Sequence, residues 1–198
     1  MNLRQRILEA AEQVIRANGL ARTTTKDIAL IAGCSEGSLY NHFRSKEDLF
    51  LHVLRGQLPP LLSILMALSK RVGQGTVREN LKEVLVVALE YFHDSVPMLS
   101  SVFSEPGLLA RHREGFLARN EGPHRTNEAV AAYLDAEVKA GRMIPETNPR
   151  VVADLLLGAC FQHAFHIQFC GENETREEQE QYVEQLLSSF VDPLLADG

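Results

Sequence analysis

The stretch GCSEGSLYNHFRSKEDL, residues 33–49, decides the fold of this chain. It contains two glycines and two aromatic residues, and it turns basic at Arg44. Gly33 can adopt the positive φ of a tight turn, and Ser35 is a good N-cap for a following helix. The stretch therefore predicts two short helices joined by a three-residue turn, which is the spacing of a helix-turn-helix.

The helix before the turn is also short, and a capping box marks its start. Thr24 and Asp27 have the spacing at which a hydroxyl and an acid satisfy the first amides of a helix. Apolar residues of the two short helices can pack against a first helix that covers about Leu3 to Ala17. They are Ile28, Ala29, Ala32, Leu39 and Phe43. An ordinary helical corner with solvated polar residues would show the same pattern.

The second short helix is otherwise polar. We expect it to run from about Glu36 to His42, too short to be stable alone, which suits a surface presented to a partner. Small residues at its start let the backbone approach a groove closely. The first amides of the next helix, beside Lys46, are suited to hold a phosphate.

The charge of the chain is unevenly distributed. The 198 residues carry a net charge of −6, but residues 1–50 contain seven Lys/Arg and six Asp/Glu. The total by itself argues against nucleic acid, but binding to phosphate depends on the local patch, and the start of the chain is near neutral to basic. No secretory pattern and no run of about 18 apolar residues is present, and the three cysteines lie far apart. We expect a cytoplasmic protein with no membrane partner.

The remainder of the chain reads as helix, so the predicted fold class is all-α. Pro59-Pro60 predicts a break in the fourth helix, and Pro97 is expected to start a new short helix. Asn148 and Pro149 predict the start of a helix that ends near Gly171. The natural division gives a helix-turn-helix domain in residues 1–46, with its motif at about 24–43, and a helical bundle in 47–198.

Residues 23–50 closely resemble the DNA-binding signature of the TetR family of transcriptional repressors. The matching residues are Thr23-Thr24, Ile28-Ala29, Ala32-Gly33, Ser35, Gly37, Leu39-Tyr40, Phe43 and Ser45-Lys46-Glu47. Cys34 and Ser38 stand where the family usually has Val and Thr. The resemblance spans about residues 3–55, and it implies an N-terminal three-helix DNA-binding domain followed by a helical bundle for ligand binding and dimerisation.

The resemblance also implies roles for single residues of the motif. Contacts to phosphate are implied for Thr24, Thr25, Tyr40, His42 and Lys46. Contacts to base edges are implied for Glu36, Gly37, Ser38 and Asn41, and Ser35 completes the DNA-binding set as the N-cap. Glu36 cannot attract phosphate, but it can accept a hydrogen bond from cytosine N4, which makes it a candidate for sequence choice.

The acidic remainder is expected to dimerise. One helix-turn-helix reads few bases, whereas two held about 34 Å apart read a palindrome. The last two helices are long and amphipathic and can form a four-helix interface with their copies, as the resemblance also implies. We therefore expect a homodimer on palindromic double-stranded DNA, and the family favours repression over activation.

The middle helices are expected to enclose a pocket for a small, largely apolar effector. The candidate lining residues are Met66, Leu89, Phe92, His93, Met98, Phe103, Phe116, Tyr133, Phe161 and Phe165. Core packing explains each of them singly, whereas together they suit a ligand pocket. A ligand would release DNA if it prefers a state in which the two reading helices are wrongly spaced.

The segment CFQHAFHIQFC, residues 160–170, gathers four metal-ligating side chains on one helix. Cys160 and Cys170 lie about 15 Å apart along it, so they cannot bind one ion. His163 and His166 could pair, with His93 or His112 as further ligands, and a metal-responsive regulator is the alternative function. Core or interface packing is the preferred interpretation, and no metal or other cofactor is predicted.

Two other classes of protein explain the sequence less well. A helical enzyme would need a base and nucleophile pair, a phosphate loop or a zinc-protease motif, and the chain shows none. An enzyme would also leave the first 50 residues unexplained. The other alternative is a helical adaptor whose N-terminal module binds protein. Salt-dependent binding to palindromic DNA would separate the predicted regulator from both.

Overall fold

The computed structural model describes residues 1–118 and 122–196. In this part of the chain there are ten α-helices and one short 3-10 helix. They are α1 (Leu3–Arg22), α2 (Thr25–Ala32), α3 (Glu36–Tyr40), α4 (Lys46–Gly56), α5 (Pro59–Leu68), α6 (Val77–Ser104), α7 (Pro106–Ala118), α8 (Pro123–Lys139), α9 (Pro149–Cys170), α10 (Arg176–Phe190) and the 3-10 helix Asp192–Leu194. The only β-pairing among the described residues is an isolated bridge between Met143 and Leu195. The all-α prediction is confirmed.

Helix ends follow the local chemistry. The Asn148 side chain accepts a hydrogen bond from the Val151 amide at the start of α9, and Gly171 ends that helix at φ 69°. The predicted break at the proline pair is also present, because α4 ends at Gly56 and α5 begins at Pro59. Such ends depend on one or two residues each, which is why the sequence predicts them well.

The prediction for Pro97 is wrong. α6 is one helix of 28 residues, and Pro97 lies inside it rather than at a new start. A proline inside a helix costs about 3 kcal/mol. Met98 and Val102, which follow it, are buried in the hydrophobic core, so packing maintains the helix despite this cost. The predicted third helix is shorter than expected, since α3 ends at Tyr40 and not at His42.

Packing divides the chain into two compact units. The first contains Met1–Leu58 and residues 97–118, and the second contains residues 59–96 and 122–196. This differs from the predicted division after residue 46, because Leu49 and Phe50 of α4 are fully buried in the core of the first unit. The functional roles of the two parts stay a prediction.

The core of the first unit holds the helix-turn-helix in place. α1 supplies Ile7 and Ala11, both fully buried, and α3 supplies Leu39. Phe43, which follows α3, is 1% exposed in the same core. Since α3 has only five residues, these anchors rather than its own hydrogen bonds determine its position.

The second unit has a separate core. It is built from α6, α8, α9 and α10, and it includes Leu81, Leu85, Leu89, Tyr133, Leu134, Leu156, Cys160, Val183 and Leu187. Glu137 is a charged residue buried within it. Its carboxylate accepts a hydrogen bond from the Gly73 amide at 3.2 Å and lies 3.4 Å from the Arg142 guanidinium.

Among the described residues one stretch, Lys46–Leu68, is long and apolar enough to cross a membrane by length and composition alone, and an 18-residue window within it has a mean hydropathy of 1.4. Core helices pass the same test, so this is weak support for a span. The stretch folds as α4 and α5, interrupted at Gln57, and each helix buries apolar residues in a core.

Candidate nucleic-acid interface

The turn between α2 and α3 is fixed by its backbone. Gly33 has φ 65° and ψ 44°, the left-handed conformation that favours glycine. The Cys34 amide donates a hydrogen bond to the Ala29 carbonyl at 2.9 Å, which closes the end of α2. Cys34 is half-buried and packs against the core, at the position where the family usually has Val.

The first turn of α3 is capped by its own side chains. The Ser35 hydroxyl accepts from the Ser38 amide at 3.1 Å, and the two serine hydroxyls lie 2.9 Å apart. Ser35 therefore acts as the predicted N-cap. Gly37 is exposed, and a methyl group there would meet only the Ser35 hydroxyl, at 3.8 Å. The fold of the chain without DNA does not require glycine at position 37.

A threonine at the start of α2 links both ends of α3. The Thr25 hydroxyl donates to the Glu36 carboxylate at 2.7 Å and lies 3.3 Å from the Tyr40 hydroxyl. Because the only hydroxyl proton of Thr25 is directed to Glu36, Tyr40 must donate in the second bond. These three residues, which we call the Thr25 bridge, orient one acid and one phenol on the exposed surface.

Most of the remaining predicted DNA-binding residues are exposed around α3. Thr24 caps α2 by accepting from the Asp27 amide at 3.1 Å. Asn41 and His42 lie in the turn after α3, and both are exposed, whereas Ser38 is half-buried. The structure therefore brings the predicted base-reading and phosphate-binding residues together on one surface, with Lys46 as an exception.

Lys46 is directed at the end of α1. Its ammonium donates to the Leu20 carbonyl at 3.2 Å and to the Thr23 carbonyl at 3.1 Å. Two of its three donors thus satisfy carbonyl groups at the negative end of a helix. In the free chain this geometry gives Lys46 a structural contact, and the phosphate contact that the family resemblance implies stays a prediction. No local sequence pattern predicts this contact, because the partners lie 26 and 23 positions away.

The start of α4, predicted to hold phosphate, is already occupied by acids. The Ser45 hydroxyl accepts from the Asp48 amide at 3.1 Å, and the Asp48 carboxylate accepts from the Arg44 amide at 2.9 Å. A hydrogen bond from the Ser45 side chain lowers the pKa of the Glu47 carboxyl. Two carboxylates in the first turn make this a poor phosphate site.

Two exposed cations near α3 were absent from the predicted set. Lys26 follows Thr25 in the first turn of α2, and Arg44 follows Phe43. Both can supply the positive charge that phosphate binding needs. A count of basic residues around the motif would have found them, whereas matching the signature selects only its own positions.

The predicted pocket residues belong to both compact units, and their role as a pocket stays a prediction. Met98 is buried in the core of the first unit, and Phe103 is 67% exposed there. Phe116 packs against His112, with ring centroids 4.4 Å apart. In the second unit Met66 is 72% exposed. Helical periodicity identifies apolar residues but not whether they face a core, a pocket or water.

The other predicted pocket residues lie in the second unit. Leu89 and Tyr133 are buried, and the pKa of the Tyr133 phenol is raised to about 12, chiefly by burial. Phe92 contacts Phe161 edge to face at 5.5 Å, and His93 is half-buried. Phe161 and Phe165 are 41% and 47% exposed on α9.

The two histidines of the alternative metal interpretation lie in different environments on α9. Cys160 is fully buried, and burial raises the pKa of its thiol to about 12. The His163 ring stacks on Tyr182 at 3.9 Å, and its Nε2 lies 2.6 Å from the Glu174 carboxylate. His166, three residues on, is exposed. A metal site that uses His163 would have to break this buried contact.

A helix-turn-helix whose third helix presents an exposed polar surface is typical of one class, the helix-turn-helix DNA-binding proteins. The comparisons with known proteins agree. Residues 7–53 match the family model described as bacterial regulatory proteins, tetR family.

Relatives and solved structures extend the match along the chain. The transcriptional regulator YvkB of Bacillus subtilis is 25% identical over 193 residues, which cover 98% of this chain and 97% of YvkB. The repressor KstR2 of Rhodococcus jostii is 32% identical over 142 residues, 70% of this chain and 66% of that protein. A crystal structure from Mesorhizobium loti, assigned to the TetR family, has a TM-score of 0.76 at 18% identity and covers 98% of this chain and 97% of its own.

The chain belongs to the TetR family of bacterial regulatory proteins, and it is a DNA-binding transcriptional regulator.

Proposed function

We propose that the chain is a homodimeric repressor that binds a palindromic operator through α3 and the start of α2, and that a small molecule releases it. The Thr25 bridge is the observation that carries this proposal. It holds Glu36 and Tyr40 in fixed positions on an exposed surface, so little side-chain freedom is lost when DNA binds.

The proposed division of labour on this surface follows chemistry. Glu36, Gly37, Ser38 and Asn41 face base edges, and Glu36 accepts from a cytosine N4. Thr24, Tyr40 and His42, with the exposed cations Lys26 and Arg44, contact phosphates. Lys46 supports the end of α1 instead. None of these groups forms a catalytic pair, and we propose a non-enzymatic regulator that acts on DNA in the cytoplasm.

The exposed face of α9 supports dimerisation. Its apolar members are Val151, Leu155, Phe161, Phe165 and Phe169, which are 41% to 80% exposed. Gly158 lies on the same exposed face, and a Cβ there would meet nothing within 4 Å. Apolar patches of this kind mark association sites. A second copy related by a two-fold axis would cover the face with its own α9.

A buried hydrogen-bond donor supports an effector site in the second unit. The Gln168 side-chain amide donates both to the His93 carbonyl and to Nδ1 of the His93 ring, each at 3.2 Å. Nδ1 therefore accepts, and the proton of the neutral ring lies on Nε2. That Nε2 is buried and has no hydrogen-bond partner among the described residues. An effector with an acceptor oxygen and an apolar body would satisfy it.

Selection of bound fragments from a random DNA pool tests this function. We expect a palindrome whose half-sites lie about one helical turn apart, bound more weakly as salt rises. Light scattering at micromolar concentration should give twice the mass of one chain. Recovery of no enriched sequence would contradict the proposal, as would a monomer that binds its selected DNA with full affinity.

A further inference from the structure

Three metal-ligating side chains meet at the end of α9. The Cys170 sulfur lies 3.9 Å from Nδ1 and 3.9 Å from Nε2 of His166, one helical turn earlier. Glu172 joins them, and one ligand atom from each of the three residues lies within 4.8 Å of the others. All three residues are exposed, and Cys170 is a free thiol. This group, the His166–Cys170–Glu172 cluster, does not include the half-buried His163.

The helix end brings Glu172 back to the helix. Gly171 has φ 69°, and its amide donates to the Gln168 carbonyl at 3.3 Å. The Glu172 amide then donates to the Ile167 carbonyl at 3.1 Å. This motif turns the chain over the last helical turn, so Glu172 lies beside Cys170 rather than beyond it. The cluster is thus defined by the backbone.

The electrostatics at this end of α9 favour a cation. The C-terminus of a helix carries a partial negative charge, and the last turn of α9 contains no basic residue. The segment that follows is acidic, with five glutamates and one arginine in residues 172–180. A divalent cation would compensate both the partial negative charge of the helix end and the charge of the glutamates.

We propose that the His166–Cys170–Glu172 cluster binds a divalent cation of the zinc class. Thiolate, imidazole and carboxylate are the ligands that Zn²⁺ prefers. Sulfur and nitrogen atoms that share a tetrahedral Zn²⁺ lie about 3.6 Å apart, close to the distance between Cys170 and His166. Rotation of the exposed Glu172 side chain brings its carboxylate to the third coordination position, and water fills the fourth. The site does not depend on the proposed DNA-binding function.

Titration of the full chain with Co²⁺, under reducing conditions and without an affinity tag, tests the site. We expect a sulfur-to-cobalt charge-transfer band that saturates at about one equivalent per chain and is removed by Zn²⁺. Cys170→Ser should abolish the band. His166→Gln and Glu172→Gln should weaken Co²⁺ binding about tenfold or more, and acidification should weaken it further, because protons compete for the ligands.

Two matched variants serve as controls. Cys34→Ser removes a half-buried thiol and His124→Gln removes an exposed imidazole, both away from the cluster in the sequence, and both should leave the band unchanged. Circular dichroism confirms that each variant is folded. The absence of a charge-transfer band in the wild-type chain would overturn the proposal, and so would a band that persists in Cys170→Ser.

Discussion

The surface of α3 and the exposed face of α9 are built in opposite ways. On α3 the polar groups already have partners, as in the Thr25 bridge and the serine pair at its start. On α9 large apolar side chains such as Phe165 lie in water. A polar surface whose groups are satisfied is stable alone and ready for DNA, whereas an apolar face is stable only when another surface covers it. The surface of α3 therefore needs no partner to be stable, whereas the exposed face of α9 needs a second surface to cover it.

The largest effect is expected from a charged residue on the exposed face of α9. Phe165→Glu should prevent the proposed dimer and reduce operator binding about a hundredfold or more, because one helix-turn-helix reads only a half-site. Light scattering and fluorescence anisotropy measure the two effects. Lys139→Glu, which also adds an acid at an exposed helical position, is the control. A dimeric Phe165→Glu protein would show that α9 is not the interface.

Substitutions of the two glycines of the motif test the surface of α3. Gly33→Ala forces a methyl group into the left-handed region and should lower the free energy of unfolding by about 1 kcal/mol. Gly37→Ala should raise it by about 0.5 kcal/mol, since alanine favours helix. It should nevertheless weaken operator binding about tenfold, because the methyl group keeps the backbone from the groove. Equal operator affinity for Gly37→Ala and the wild type would argue against close approach at this position.

The Thr25 bridge provides a smaller test. Thr25→Val keeps the shape but removes the hydroxyl, so Glu36 and Tyr40 lose their common partner. We expect operator affinity to fall about fivefold and discrimination at the base opposite Glu36 to weaken. Thr25→Ser, which keeps the hydroxyl, should behave as the wild type. If both variants lose affinity equally, the methyl group rather than the hydrogen bonds matters.

Variants of Lys46 and Arg44 distinguish a contribution to the stability of the fold from a contact to DNA phosphate. Lys46→Met should lower the free energy of unfolding by about 1 kcal/mol, because two carbonyl groups lose a donor. It should leave the salt dependence of DNA binding unchanged. Arg44→Ala should leave stability unchanged and reduce the slope of log affinity against log salt by about 0.9, the value for one phosphate contact. A reduced slope for Lys46→Met would restore the role that the family resemblance implies.

The smallest functional effect is expected at Cys160. In a Cys34→Ser background, a thiol reagent at neutral pH should label Cys170 quickly and leave Cys160 unmodified until the chain unfolds. Burial of Cys160 and its raised pKa, about 12, both oppose formation of the reactive thiolate. DNA binding should be unaffected by labelling before unfolding. Mass spectrometry identifies the labelled residue, and early modification of Cys160 would show that the core of the second unit opens.

Local features of this molecule could be predicted from its sequence, and long-range ones could not. The turn at Gly33 and the caps at Ser35 and Asn148 depend on a few neighbouring residues, and all three were predicted correctly. The contact of Thr25 with Glu36 and that of Lys46 with Thr23 depend on how helices pack, which no local pattern encodes.

The roles of the apolar residues in the second unit are the hardest to predict from the sequence. Met66, a predicted pocket residue, is 72% exposed. An apolar residue at helical spacing fits a core, a ligand site or an association face equally well, so the sequence does not decide among them. The α9 helix shows the difficulty most clearly, since it carries buried and exposed apolar residues on different faces.

The Thr25 bridge also constrains how this regulator can evolve. A substitution at Glu36 changes the group offered to DNA and, in the same step, leaves the Thr25 hydroxyl without its acceptor and alters the support of Tyr40. A change of operator preference at this position therefore has a cost that a second substitution at Thr25 can offset. We expect related regulators to vary positions 25 and 36 together, so that new operators arise through pairs of mutations rather than single ones.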